Sequence, residues 1–128
     1  MAKPATRDLV SMARQAGYQV VQAEQLRPNR WLLILVDAVE RRLAVLVQAR
    51  PLISAADVLD LADIVRLRQL HSGVLLAYEG SFSPTAQSTH RELADSRLRL
   101  CTALPPASKS EHLEPQPVGA AIKSTLSP

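Results

Sequence analysis

Cysteine is nearly absent from this chain of 128 residues: Cys101 stands alone. A single thiol can form neither an intrachain disulfide nor a cysteine-rich metal site. No apolar run is long enough to span a bilayer as a helix. Met1 to Ser11 lacks the apolar core of a secretory signal. A cytoplasmic protein with no membrane partner is therefore expected. Lysine is scarce too, with three Lys against twelve Arg. The net charge of +3 and a pI near 9.5 permit a polyanionic partner without requiring one. His71, His90 and His112 are scattered and lack the spacing of a metal site. No internal repeat is evident.

What is present is enough apolar material for one core. Hydrophobic residues make up 47% of the chain, most of them before Leu104. Pro4 suits the first turn of a helix running to about Ala16, with Gly17 in the C′ position. Tyr18 to Ala23 reads as a strand, and Arg27-Pro28-Asn29-Arg30 as a turn. Trp31 to Val36 and Leu43 to Val47 are strongly apolar runs separated by polar Asp37 to Arg42. They predict hairpin strands covered on both faces. Ser54 and Asp57 open a helix carrying Val58, Leu61, Ala62, Val65 and Leu70 at helical spacing, ended by His71 and Gly73. Gly73 to Tyr78 reads as a buried strand. Ser83 and Pro84 are an N-cap and N1 pair for a helix to about Ala94. Leu98, Leu100 and Cys101 close with a half-exposed strand.

The order is therefore α-β-β-β-α-β-α-β, an α/β arrangement with a mixed sheet flanked by helices. Residues 1–104 form the expected domain. Residues 105–128 form a Pro/Ser-rich tail, since five of the nine prolines follow Leu104 and aromatic residues are absent there.

Several segments together resemble the Mrr-like catalytic domain, a type IV restriction-endonuclease unit of the PD-(D/E)xK nuclease superfamily. They are Gly17-Tyr18-Gln19-Val20, Val45 to Arg50, the Ser54 to Leu70 helix, the Gly73 strand, Phe82 to Ala86 and Arg97 to Leu100. The resemblance spans about Leu9 to Leu104. It implies a restriction-endonuclease-like three-layer α/β/α fold. It also implies a catalytic set in which an Asp and a Glu or Gln at adjacent strand ends hold a divalent metal. A Lys two residues after the Glu or Gln then handles the attacking water. Gln48 takes the Glu or Gln position, and Arg50 stands where Lys is expected.

The set is incomplete here. Hard cations such as Mg²⁺ need carboxylate oxygens. With a hairpin turning at Glu40-Arg41, Gln48 faces Leu33 and Arg50 faces Trp31, neither of which binds a metal. Asp37 then lies roughly 13 Å along the ladder. A guanidinium can hold a phosphate but cannot act as a base. Gln48 and Arg50 are thus read as the remnant of a catalytic pair, with no cofactor expected unless the site is active with Mg²⁺.

The first functional expectation is a non-catalytic domain that binds DNA or another nucleic acid through Arg50, Arg27, Arg30, Arg41 and Arg42. The alternative is a protein-interaction module, a homodimer or a complex with another protein, using the apolar sheet or the tail. The third is an active, metal-dependent endonuclease using Gln48 and an acid placed elsewhere. Asp57, Asp60 and Asp63 recur at three-residue spacing and read as a solvated helix face, with a carboxylate triad as the functional reading. Trp31 reads as packing, with base stacking as the alternative. Gly80 to Pro84 reads as helix capping, with an anion site as the alternative. Cys101 reads as a core residue.

Overall fold

The structure is a computed structural model that describes residues 3–107. The first helix, α1 (Thr6–Gln15), starts after an Ala5 N-cap, so Pro4 lies one residue before the cap and not in the first turn. Gly17, at φ +97°, supplies the left-handed residue that turns the chain into the sheet. The strands are β1 (Gln19–Arg27), β2 (Arg30–Val36), β3 (Arg42–Gln48), the two-residue β4 (Leu52–Ile53), β5 (Ser72–Ala77), the two-residue β6 (Ser81–Phe82) and β7 (Leu98–Cys101). Helices α2 (Ala55–Leu67) and α3 (Pro84–Leu93) are the crossovers.

The main sheet has the order β1-β2-β3-β5-β7. β1, β2 and β3 pair antiparallel, while β3-β5 and β5-β7 pair parallel. β4 and β6 continue the β3-β5 direction after a break at Pro51.

Period-two alternation splits the apolar residues of β2 and β3 between two cores. Trp31, Leu33, Leu35, Leu43, Val45 and Val47 pack with Leu9 and Ala13 of α1. Leu32, Ile34, Ala44 and Leu46 pack with Val58, Leu61 and Val65 of α2 and Ala86 of α3. The molecule is thus three-layered α/β/α, as expected, and both faces of β2 and β3 are used internally. The β1 edge of the sheet is exposed, with Val21 and Leu26 46% and 40% exposed. A bulge at Val21, between the Val20-Leu35 and Gln22-Ile34 pairs, turns that side chain outward.

Two further sequence expectations need correction. The second helix ends at Leu67, not at His71 and Gly73: Gln69 takes the positive φ of 54° that breaks it. Gly73 lies inside β5, where a Cβ would stand 2.6 Å from Val65 and 2.9 Å from Leu61, so its small size lets α2 lie close on the sheet. The hairpin register is also different. β2 and β3 are joined by an Asp37–Arg41 loop, whose Asp37 carboxylate accepts from the Val39 and Arg41 N–H groups. Glu40 completes the loop at φ 65°. This longer loop moves the pairing by three positions, so Gln48 faces Arg30.

The start of the tail packs on the domain: the Tyr18 hydroxyl donates to the Pro105 carbonyl and the Ala107 N–H to the Ala16 carbonyl. The remainder of the expected tail, with His112, lies outside the described residues.

Candidate functional site

The C-terminal end of β3, the β1-β2 turn and the first turn of α2 meet in one cleft. It has a volume of about 310 Å³ and is lined by Arg27, Arg30, Gln48, Arg50, Ser54, Asp57 and Asp60 among others. Strand parity explains its membership. Arg30 and Gln48 share a sheet face with Leu32 and Leu46, the face that α2 covers. Beyond the break at Pro51, Ser54 caps α2 and Asp57 stands at its third position. The first turn of a crossover helix lies over the strand that feeds it, so Asp57 is carried back to Gln48.

Asp57 is 4% exposed and is the hub of the cleft. Its Oδ1 accepts from Gln48 Nε2 at 2.6 Å. Its Oδ2 accepts from Arg50 at 2.9 Å, from the Ser54 N–H at 3.1 Å and from the Ser54 hydroxyl at 3.2 Å. Arg30 adds an ion pair to Asp57 at 3.8 Å and a tighter one to Asp60 at 2.6 Å. The carboxylate is thus met from β2, from β3, from the connection after it and from the helix cap. Such charge-assisted bonds are roughly twice as strong as neutral ones. The cleft holds three guanidinium groups against two carboxylates. Arg30 Nε and Arg50 Nε are buried without a hydrogen-bond partner.

Asp57 therefore corrects the reading of Asp57, Asp60 and Asp63 as one solvated face. Asp60 and Asp63 are exposed, and among the described residues Asp63 pairs only with its neighbour Arg66. Gln48 faces neither Leu33 nor any acid on β2: its partner there is Arg30, and Arg50 lies past the end of the ladder. Asp37 is one residue beyond Val36 and so roughly 23 Å along β2 from Arg30. Gly80 fits this end of the sheet for a steric reason, since a Cβ there would collide with the Arg50 carbonyl oxygen.

Of the expected nucleic-acid contacts, Arg27, Arg30 and Arg50 come together. Arg41 and Arg42 do not: they sit at the start of β3, roughly 20 Å away along the strand. Arg41 pairs with Asp37 at 3.0 Å and contacts His71 Nε2 at 3.3 Å. A guanidinium only donates, so this ring nitrogen is the acceptor. His90 bonds the Leu98 carbonyl at 2.8 Å. Among the described residues, no three His, Cys, Asp or Glu side chains gather as a metal-ion site. Trp31 is 1% exposed in the α1-side core, which rules out the base-stacking alternative. Ser83 caps α3, its hydroxyl accepting from the Ala86 N–H at 3.0 Å. Cys101 is half-buried, and burial pushes its thiol up from the usual value, with Arg99 opposing, which keeps it protonated at neutral pH.

No family model matches the sequence, and no curated protein matches it. Among solved structures the chain is similar to EndoMS in its apo form, with a TM-score of 0.58 and 14% sequence identity. The match covers 84% of this chain and 49% of EndoMS, so the chain spans about half the length of that protein. That likeness is one of fold, and the fold of this chain is restriction-endonuclease-like.

Proposed function

We propose that this chain is a degenerate, Mrr-like member of the PD-(D/E)xK group that binds nucleic acid through phosphate contacts without hydrolysing it. The observation that carries the reading is the pairing of Arg30 with Gln48, the guanidinium reaching both Asp57 and Asp60. Where the resemblance asks for a carboxylate on the adjacent strand, this chain supplies a fixed positive charge.

The donor set does not fit Mg²⁺. A hard cation needs free carboxylate oxygens and keeps several waters. Both Asp57 oxygens already accept from neighbouring donors, and Arg30 and Arg50 would repel a second cation. Asp60, the other carboxylate of the cleft, is taken by Arg30 at 2.6 Å. The guanidinium groups neutralise the carboxylates in place of a metal.

The same guanidinium groups suit a phosphodiester. Arg50 has a side chain 41% exposed, and Arg27 is exposed at the rim. Planar guanidinium forks match phosphate oxygens. The test is fluorescence anisotropy with a labelled DNA duplex at low salt. Binding that weakens on Arg50→Gln and Arg27→Gln is expected, and no binding at low salt would sink the reading.

One observation favours a second reading, an active endonuclease: a carboxylate, Asp57, does lie 2.6 Å from Gln48. Metal-dependent cleavage that disappears in both Gln48→Ala and Asp57→Asn would establish it. Absence of cleavage with Mg²⁺ and Mn²⁺ is the outcome expected here.

A further inference from the structure

Gly80 lies in the turn between β5 and β6, directly against the chain that carries Arg50. Beyond Gln48, the link Ala49-Arg50-Pro51 leaves β3 and leads to β4. Backbone bonds hold this link to the turn on both sides of Gly80. The Tyr78 N–H donates to the Gln48 carbonyl at 2.9 Å, and the Ser81 N–H to the Pro51 carbonyl at 2.9 Å. The β4-β6 pairs Leu52-Ser81 and Ile53-Phe82 follow at once. A Cβ on Gly80 would stand 2.1 Å from the Arg50 carbonyl oxygen, 3.1 Å from the Pro51 carbonyl oxygen and 3.2 Å from the Arg50 carbonyl carbon. All three are backbone atoms, which cannot rotate aside as the end of a side chain can. Pro51 restricts Arg50 as well, since the residue before a proline is held in extended backbone.

We infer that Gly80 is a positioning residue for Arg50: its missing side chain lets the two backbones meet, and that contact fixes where the guanidinium is presented. From its one backbone position Arg50 donates to Asp57 Oδ2 at 2.9 Å and keeps 41% of its side chain exposed at the cleft. A side chain held in this way gives up little further freedom when it meets a phosphate. Any larger residue at position 80 must push the Arg50-Pro51 link away, and a shift of that backbone swings the long side chain off Asp57. Gly80 touches no phosphate and acts only through Arg50. Its effect on DNA rests on the nucleic-acid reading of the cleft, whereas its effect on the Arg50-Asp57 pair does not.

The test is a pair of double-mutant cycles between Gly80→Ala and Arg50→Gln in the full chain. One is read by urea unfolding, the other by fluorescence anisotropy with a labelled DNA duplex at low salt. With glycine at position 80, Arg50→Gln should lower the folding constant and the DNA association constant by about tenfold each, the scale of a lost charge-assisted bond. With alanine there, both losses should shrink to about threefold or less, because Arg50 no longer reaches the same place. Gly80→Ala should also lower the salt slope of DNA binding by up to about 0.9, with no further drop on adding Arg50→Gln. A general loosening of the domain would not move that slope. Ser81→Ala, in the same turn but adding no atom against Arg50, should leave both Arg50 effects at full size. If Gly80→Ala does not fold, Pro51→Ala replaces it in both cycles: it frees the Arg50 backbone without adding bulk and should shrink the Arg50 effects in the same direction. Equal Arg50→Gln losses in the changed and unchanged backgrounds would overturn the inference. An Arg50→Gln loss seen in unfolding but not in DNA binding contradicts the nucleic-acid reading alone, and the unfolding cycle then decides the role of Gly80.

Discussion

The two ends of the sheet use the same side chains in opposite ways. At the Gln48 end one buried carboxylate, Asp57, joins residues that are distant in sequence: Arg30, Gln48, Arg50 and the α2 cap. At the Arg41 end each carboxylate serves its own turn. Asp37 bonds Arg41 four residues on, and Asp95 bonds Arg97 two residues on. The first arrangement is tertiary and ties β2, β3 and α2 together. The second is local and shapes loops. The lesson is that an Arg–Asp pair must be weighed by what it connects, not by its distance alone.

The comparison breaks most readily at Asp57. Asp57→Ala leaves Arg30, Arg50 and Gln48 facing an empty buried site and removes a cap of α2. A loss of about 3–5 kcal/mol is expected, the range for removing one partner of a buried pair. Urea unfolding measures it, and a loss below about 1 kcal/mol, typical of exposed pairs, would make the two ends equivalent.

Asp37→Asn should cost less, about 1 kcal/mol, since it weakens loop hydrogen bonds. Its pH dependence sharpens the contrast. Burial alone would raise the Asp37 carboxyl, but the Arg41 and Val39 N–H groups and the Arg41 guanidinium outweigh it and hold it below 3.8. Asp95 is lowered as well, chiefly by its bond from the Arg97 side chain. A depressed carboxyl contributes stability that is present above the unfolded value of 3.8 and is lost as the pH falls through the folded value. The difference between wild type and Asp37→Asn should therefore shrink below that pH, as read from unfolding midpoints in an acid series.

Asp60→Asn frees Arg30 from its 2.6 Å partner, whose side chain is 50% exposed. Stability should change by less than about 1 kcal/mol. Nucleic-acid affinity should rise about two- to fivefold, because a carboxylate competing for the guanidinium is gone. Asp63→Ala is the smallest change: both partners of the Asp63-Arg66 pair are more than half exposed. A shift within about 0.5 kcal/mol in thermal or urea unfolding is expected.

The layer order was legible in the sequence because it rests on strong local signals. The apolar runs at Trp31 and Leu43 gave the central strands, and the Ser83-Pro84 pair gave the start of α3. Gln48 and Arg50 were legible from their place after a buried strand. The register was not. It depends on the Asp37 side chain folding a longer loop, a conformation that no Asn-Gly or Asp-Gly pair announces. Arg30 opposite Gln48 follows from that register, so it too was hidden. Asp57 was misread because helical spacing sets it with Asp60 and Asp63. A usable signal existed: a carboxylate in the first turn of a crossover helix returns to the C-terminal end of the strand before it. Arg41 and Arg42 were grouped with Arg50 by charge, whereas seven residues of extended chain hold them at the other end.

The salt dependence of DNA affinity, compared between wild type and Arg50→Gln, tests the central claim most directly. If guanidinium groups at the Gln48 end hold phosphates, log K falls linearly with log salt, and Arg50→Gln lowers the slope by about 0.9, the value of one phosphate contact. An identical slope in the two proteins, or no binding at roughly 50 mM salt, would contradict it.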